Sequence, residues 1–134
     1  MEARVAAIGF RLTTANAAWC PLRQPQFGWI WGDPRLYDRD RRPEALAVYG
    51  AGDGDNPFVA ALAPTSPAAA AGLRIGTAVI GLSGVAVPSG AGDHPFARIT
   101  AIEMQLAAMP ADAPLALATV SYTHLRAHET DSYL

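Results

Sequence analysis

The chain has 134 residues, of which 51% are hydrophobic and 16% are charged, and its formal net charge is −2. This composition is typical of one folded domain and excludes a disordered tail. All ten basic residues are arginines without a long run, so the sequence does not predict a nucleic-acid-binding surface. The single cysteine, Cys20, excludes an internal disulfide.

The most apolar stretch near the start is interrupted by polar side chains. Residues 5–19 include Arg11 and Asn16, so this stretch matches neither a membrane-spanning segment nor a signal peptide. Two cellular locations of the protein are therefore expected as alternatives. Either the chain is cytoplasmic, or Met1 lies downstream of the export signal of a periplasmic or envelope protein.

The first elements are an amphipathic helix, a short aromatic strand and a second helix. Apolar residues recur at helical spacing, which predicts a helix over residues 4–18 whose apolar stripe packs on the core. Residues 27–31 form an aromatic and β-branched run, which is typical of a strand. A second, short helix is expected over 43–49. The stripe comprises Val5, Ile8, Leu12, Ala15 and Trp19.

The middle of the chain has clear turn and capping signals. A strand over 58–63 is followed by Ser66 as N-cap and Pro67 in the first helical turn, and Gly72 ends this one-turn helix. Residues 78–82 then read as a strand, with a tight turn and extended residues 85–87 after it.

The last elements are an amphipathic helix over 95–109 and a buried strand over 115–120. Together the elements predict an α+β fold: a partly open β-barrel or sandwich with two or more helices, preceded by the N-terminal helix. The apolar positions of the 95–109 helix are Phe96, Ile99, Ile102, Leu106 and Met109.

The segment from Val59 to Gly84 resembles the bacterial PDZ domain. It has the family's order of a strand, Ser-Pro-Ala at 66–68, Ala-Gly-Leu at 71–73, a glycine, a second strand and a turn with glycine. The resemblance covers residues 58–120. The main departure is Thr77, where the family usually has aspartate in a turn, and we expect the fold to tolerate it. The alternative is an alanine-rich α+β domain with accidental turn signals.

The resemblance implies a module that binds the C-terminus of a peptide or protein as an added strand. The family holds the carboxylate on the amides of an x-Φ-Gly-Φ loop, where Φ is apolar, and Gln26–Trp29 has this form. Leu46–Gly50 is a second candidate loop, and the aromatic residues could instead be simple core and edge residues. The implied peptide-binding residues are Phe27, Gly28, Trp29, Ile30, Ile99, Ile102 and Leu106, with Glu103 on the same helix.

Residues 1–57 resemble, more weakly, the N-terminal part of envelope metallopeptidases that carry a PDZ domain. The similarity lies in a helix ending near Asn16–Pro21, an aromatic strand and a charged segment. It implies that residues 1–57 pack on the PDZ-like core. It also implies a substrate-presenting region of a truncated protease, without catalytic residues, cofactor or metal of its own. The alternative function is a scaffolding domain without an open groove.

Residues 121–134 differ in character from the alanine- and glycine-rich chain before them. They resemble translated sequencing-adapter ends found on reading frames from environmental DNA, so we expect a non-native tail that is exposed or, at most, extends the last strand as a stub. His124 and His128 share helical spacing, which leaves a small metal-dependent hydrolase as an alternative. Their order matches neither zinc-peptidase motif.

Overall fold

The computed structural model describes residues 1–21, 26–90, 92–110, 112–123 and 126–133. In this part of the chain there are four α-helices and six β-strands, with short 3₁₀ turns at Ala17–Trp19 and Pro34–Leu36. The helices are α1 (Glu2–Ala15), α2 (Arg42–Tyr49), α3 (Pro67–Ala70) and α4 (Ala97–Ala107). The strands are β1 (Trp29–Gly32), β2 (Phe58–Leu62), β3 (Ala78–Leu82), β4 (Val85–Ala86), β5 (Ala116–Thr123) and β6 (Arg126–Tyr133).

All described strands belong to one antiparallel sheet. Its order is β1-β2-β3-β5-β6, and β4 pairs with β3 beside this path. The two ends of the path do not meet, so the sheet is open, with β1 at one edge. The expected α+β class is therefore confirmed.

The main core lies between this sheet and α4. The β1–β2 register shifts between Ile30 and Trp31, so that Trp29 stands opposite Leu62 and Trp31 opposite Val59. The ordinary alternation of β1 places both tryptophans on its core face. The extra residue lies in β2, and it brings Leu62 and Val59 opposite them. The buried core consists of Trp31, Val59, Ala68, Leu73, Val79, Leu82, Ile102, Leu106, Leu115 and Leu117, with Phe27, Trp29 and Leu62 packed against it.

A second, smaller cluster forms around Phe58 of β2. Leu46 of α2 and Ala60 are buried with it, and Tyr49 packs against them. The rings of Tyr49 and Phe58 are 5.2 Å apart between centroids. Successive side chains of a strand point to opposite faces of the sheet, so β2 contributes Phe58 to this cluster and Val59 to the main core.

The expected packing of α1 is wrong. Its apolar stripe faces solvent, with Val5, Ile8 and Leu12 more than half exposed and Trp19 86% exposed. Ala6 is instead the buried residue of the helix. Phe10, one turn after Ala6 on the same face, is half-buried and approaches Gly28, so this face of α1 packs inward in place of the stripe.

The short helix α3 has the capping predicted from sequence. Ser66 is its N-cap, and the Ser66 hydroxyl accepts a hydrogen bond of 3.3 Å from the Ala69 N–H. Pro67 occupies the first turn, and Gly72 follows with φ +83°. Thr77 is buried in the turn before β3, where its carbonyl accepts a hydrogen bond from the Val59 N–H.

The backbone after Val120 forms more than the expected stub. β5 continues to Thr123, and Arg126–Tyr133 pairs with it along its whole length. The expectation failed because it rested on apolar burial, whereas main-chain pairing to an existing edge does not depend on side-chain type. The foreign origin of residues 121–134 stays a prediction.

Candidate functional site

A pocket opens where the start of β1 meets the end of α4. The two elements run in opposite directions, since Arg98 at the start of α4 contacts Asp33 just after β1. The pocket has a volume of about 70 Å³. It is lined by Gln26, Phe27, Gly28, Trp29, Trp31, Glu103, Leu106 and Ala107.

The loop before β1 is held by its carbonyl groups. The Phe27 carbonyl accepts a hydrogen bond of 3.0 Å from the Ala68 N–H, and the Gly28 carbonyl accepts one of 2.7 Å from the Ala63 N–H. The described peptide bonds are trans. In a trans peptide bond, the C=O of one residue and the N–H of the next point in opposite directions. The N–H groups of Gly28 and Trp29 are therefore directed away from α3 and β2.

The main chain of Trp29 faces the open edge of the sheet. In an antiparallel pair, a residue whose neighbours carry the interstrand hydrogen bonds turns its own N–H and C=O outward. Gly28 accepts such a bond from Ala63, and the next pair along the two strands is Trp29 opposite Leu62. An extended chain lying along β1 would thus meet a donor and an acceptor at Trp29.

Gly28 makes the tight loop possible. Its φ of +88° lies in the region that disfavours side chains, and a Cβ built there would stand 2.1 Å from the Cβ of Ser66. Phe10 of α1 approaches the same point at 3.3 Å. Only glycine allows the loop to sit this close to the start of α3.

A buried ion-pair cluster holds the far end of α4 against β1. Arg98 and Asp33 are joined by two contacts of 2.6 Å, with side chains that are 5% and 0% exposed. Arg98 also donates to the Asp55 carbonyl and carboxylate at 2.7 and 3.2 Å. Arg35 pairs with Asp55 at 3.1 Å. The cluster anchors the start of α4 to the end of β1, and the pocket lies towards the other end of both elements.

Three aromatic rings form a row along the pocket. Phe27 and Trp29 are stacked with centroids 5.1 Å apart, and Trp29 meets Trp31 edge to face at 5.3 Å. Trp29 and Trp31 are two positions apart in β1 and so share one face of the strand. The Gly28 turn brings the Phe27 ring to the same side. Offset-stacked and edge-to-face pairs are favourable geometries, so the row is well packed.

Glu103 brings a carboxylate to the same pocket. Burial raises the pKa of Glu103 above its usual range, while a hydrogen bond from the Trp31 indole acts in the opposite direction. The residue as a whole is exposed, so its charge lies at the mouth of the pocket. The Glu103 carboxylate therefore lies beside Trp31 at the mouth of the pocket.

The structure brings together four of the residues predicted to bind peptide, since Phe27, Gly28, Trp29 and Leu106 line the pocket. Ile102 is fully buried in the core beneath it, and Ile99 packs on that core. Ile30 alternates to the other face of β1 and is 39% exposed.

The alternative loop, Leu46–Gly50, lies at the end of α2, with Gly50 as its C-cap, and does not line this pocket.

The sequence reasoning missed the ion-pair cluster. Arg98 falls inside the amphipathic helix at a position that faces the core, which was a usable signal for a buried arginine with a carboxylate partner. Its partner Asp33 lies in the Gly32-Asp33-Pro34 turn, a pattern that predicts only the end of the strand. The sequence predicts a core or edge position for Trp31, and the structure shows that Trp31 also lines the pocket.

Among the residues that the structure describes, no three His, Cys, Asp or Glu side chains gather to hold a metal ion. Cys20 is free and exposed. The side chains of His124 and His128 lie outside the described residues. None of the described helices has the length and apolar character needed to cross a bilayer.

Comparison of the chain with protein-family models gives no match, and comparison with curated protein sequences gives none either.

Proposed function

We propose that the chain is a PDZ-like module that binds the C-terminus of a peptide or protein along β1. The observation that carries the proposal is the position of β1 at the sheet edge, with the Gln26–Trp29 loop and α4 around one pocket at its start. A ligand strand adds to the free main chain, and its carboxylate sits at the loop.

The directions of the groups agree with this binding mode. A ligand strand antiparallel to β1 ends near the first residues of β1, where the N–H groups of Gly28 and Trp29 point away from the protein. Successive outward amides form a concave site for an anion. The terminal carboxylate of the ligand is the anion that reaches this position.

An amide-resolved titration tests the proposal. We would add a pool of hexapeptides with degenerate sequences and free C-termini to the full chain, and follow backbone amide shifts by NMR. The Gly28 and Trp29 amides should shift, while that of Gly84, in the exposed β3–β4 turn, should not. The same pool with amidated C-termini should bind at least about tenfold more weakly, since a charge-assisted hydrogen bond is lost.

Other results would contradict the proposal. If neither loop amide shifts, or if amidated peptides bind as well as free acids, the chain does not recognise C-termini in this way. Absence of any binding would favour the scaffolding alternative. Stoichiometric zinc binding that is lost in His124→Ala would favour the metal-dependent hydrolase.

A role in a larger protein is part of the same proposal. By its resemblance, the module would present substrates within a bacterial envelope protease, with catalysis performed by another part of the protein. Expression of the chain joined to the downstream sequence of a complete homologous locus, with and without the peptide pool as competitor, tests this. Inhibition of cleavage by the peptides is the expected result.

A further inference from the structure

The pocket at the start of β1 combines aromatic rings with one carboxylate. Phe27, Trp29 and Trp31 line it together with Glu103, which is the one ionisable group among its described lining residues. The remaining lining residues, Gln26, Gly28, Leu106 and Ala107, are neutral. Its electrostatic character is therefore that of a site for a cation.

The size and chemistry of the pocket fit the end of a basic side chain. A volume of about 70 Å³ holds a few water molecules, and an ammonium or guanidinium group is of comparable size. Cations are attracted to the faces of Trp and Phe rings within about 6 Å of their centres. A carboxylate beside the rings supplies a hydrogen-bonding counter-charge.

We propose that this pocket binds the side chain of a C-terminal lysine or arginine, with Glu103 as the residue that determines specificity. The inference rests on the proposed function. The side chain is that of the last ligand residue because the pocket is lined by the same loop, Gln26–Trp29, whose amides receive the terminal carboxylate.

The two charges of such a ligand meet complementary groups. Its carboxylate lies at the outward amides of Gly28 and Trp29, and its side-chain cation lies at Glu103. The Glu103 carboxylate would disfavour a terminal aspartate or glutamate, because a like charge would enter the pocket without a partner. An aliphatic side chain on the last ligand residue would cover the Glu103 carboxylate without offering it a hydrogen bond or a counter-charge.

The environment of Glu103 supports this assignment. Burial raises the pKa of Glu103, so its charge is not fully compensated by the surrounding protein. Trp31 lines the pocket with Glu103, and its side chain acts on that pKa in the opposite direction. A cation supplied by a ligand provides the missing compensation.

Matched peptide pools test the inference. We would measure, by fluorescence anisotropy, binding of hexapeptide pools that are degenerate at five positions and end in lysine, arginine, norleucine or glutamate with a free carboxylate. Norleucine has the lysine stem without its charge. The lysine and arginine pools should bind about tenfold more tightly than norleucine, from cation–π and ion-pair contacts together, and the glutamate pool should bind most weakly.

Substitutions assign the effect to Glu103. Glu103→Gln should reduce the preference for lysine over norleucine to within about threefold, which is less than 1 kcal/mol, and Glu103→Lys should reverse it in favour of glutamate. Glu44→Gln, which removes an exposed carboxylate in the first turn of α2, should leave the preference unchanged. Circular dichroism of each variant checks that the fold is retained.

The outcomes separate the two proposals. Equal binding of the lysine and norleucine pools, with loop amides that still shift, overturns the specificity while the C-terminal binding function stands. A lysine preference that persists in Glu103→Gln also overturns the specificity. If no pool binds and the Gly28 and Trp29 amides do not move, the C-terminal binding function itself is wrong.

Discussion

Arg98 reaches across from the first turn of α4 to Asp33, immediately after β1, and the two side chains form a two-point ion pair with both contacts at 2.6 Å. Neither residue is more than 5% exposed at its side chain. Asp33 also accepts a hydrogen bond of 2.8 Å from the Arg35 N–H, which caps the turn after the strand. One carboxylate therefore joins a helix, a strand end and a turn.

Truncation of this pair should be costly. Arg98→Ala leaves Asp33 buried without its counter-charge, and we expect a loss of about 3–5 kcal/mol in the free energy of unfolding, measured by urea denaturation. Arg35→Ala, which removes the more exposed arginine of the cluster, should cost about 1 kcal/mol or less. Equal effects of the two substitutions would show that the buried pair is not the support of α4.

Two glycines with the same backbone conformation provide a matched comparison. Gly72 has φ +83° with open space at its Cβ position, whereas Gly28 has φ +88° and Ser66 in the way. Gly72→Ala should cost about 1–2 kcal/mol from the left-handed conformation alone. Gly28→Ala should cost about 1–3 kcal/mol more from the clash. Urea denaturation of both variants measures the difference, and a smaller cost at Gly28 would contradict the described loop.

Trp19 should contribute little to stability despite its size. Because it is 86% exposed, Trp19→Ala should change the free energy of unfolding by about 0.5 kcal/mol or less. Leu115→Ala, at a fully buried position, should cost about 2–5 kcal/mol. Thermal unfolding of both variants tests the contrast. A decrease of several kcal/mol in the free energy of unfolding of Trp19→Ala would indicate that the apolar stripe of α1 is packed on the core.

Binding of lysine-ending peptides should depend on the protonation of Glu103. Burial raises the pKa of this carboxyl group, and its ionised form attracts the ligand cation. The affinity for lysine-ending peptides should therefore be highest at pH values above the raised pKa of Glu103. It should decline as the pH falls through that pKa. Bound lysine peptide should lower that pKa, because binding and deprotonation favour each other.

Carboxyl-carbon NMR of Glu103 with and without peptide measures this coupling. The norleucine peptides are the control, since their side chain gains nothing from the ionised carboxylate. The other described pocket residues contributed by the loop, β1 and α4 carry no charge. A Glu103 pKa that does not fall on addition of lysine peptide would contradict the assignment.

Local chemistry was sufficient to predict much of the secondary structure. Ser66, Pro67 and Gly72 mark the one-turn helix because an N-cap hydroxyl, a preset φ and a left-handed glycine act within a few residues. Residues 78–82 were predicted as a strand, and β3 has these bounds. The Gln26–Trp29 segment was also selected from sequence, because an apolar-Gly-apolar loop before a strand has a backbone requirement that can be read locally.

Only the tertiary structure decided which faces meet and which charges pair. The stripe of α1 has the right period for burial, yet the face that meets the rest of the fold is that of Ala6 and Phe10, so the stripe faces solvent. Arg98 and Asp33 are 65 positions apart. Their pairing at one end of α4 and β1, and the pocket beside Glu103 towards the other end, follow from the packing of α4 against β1, which no local pattern specifies.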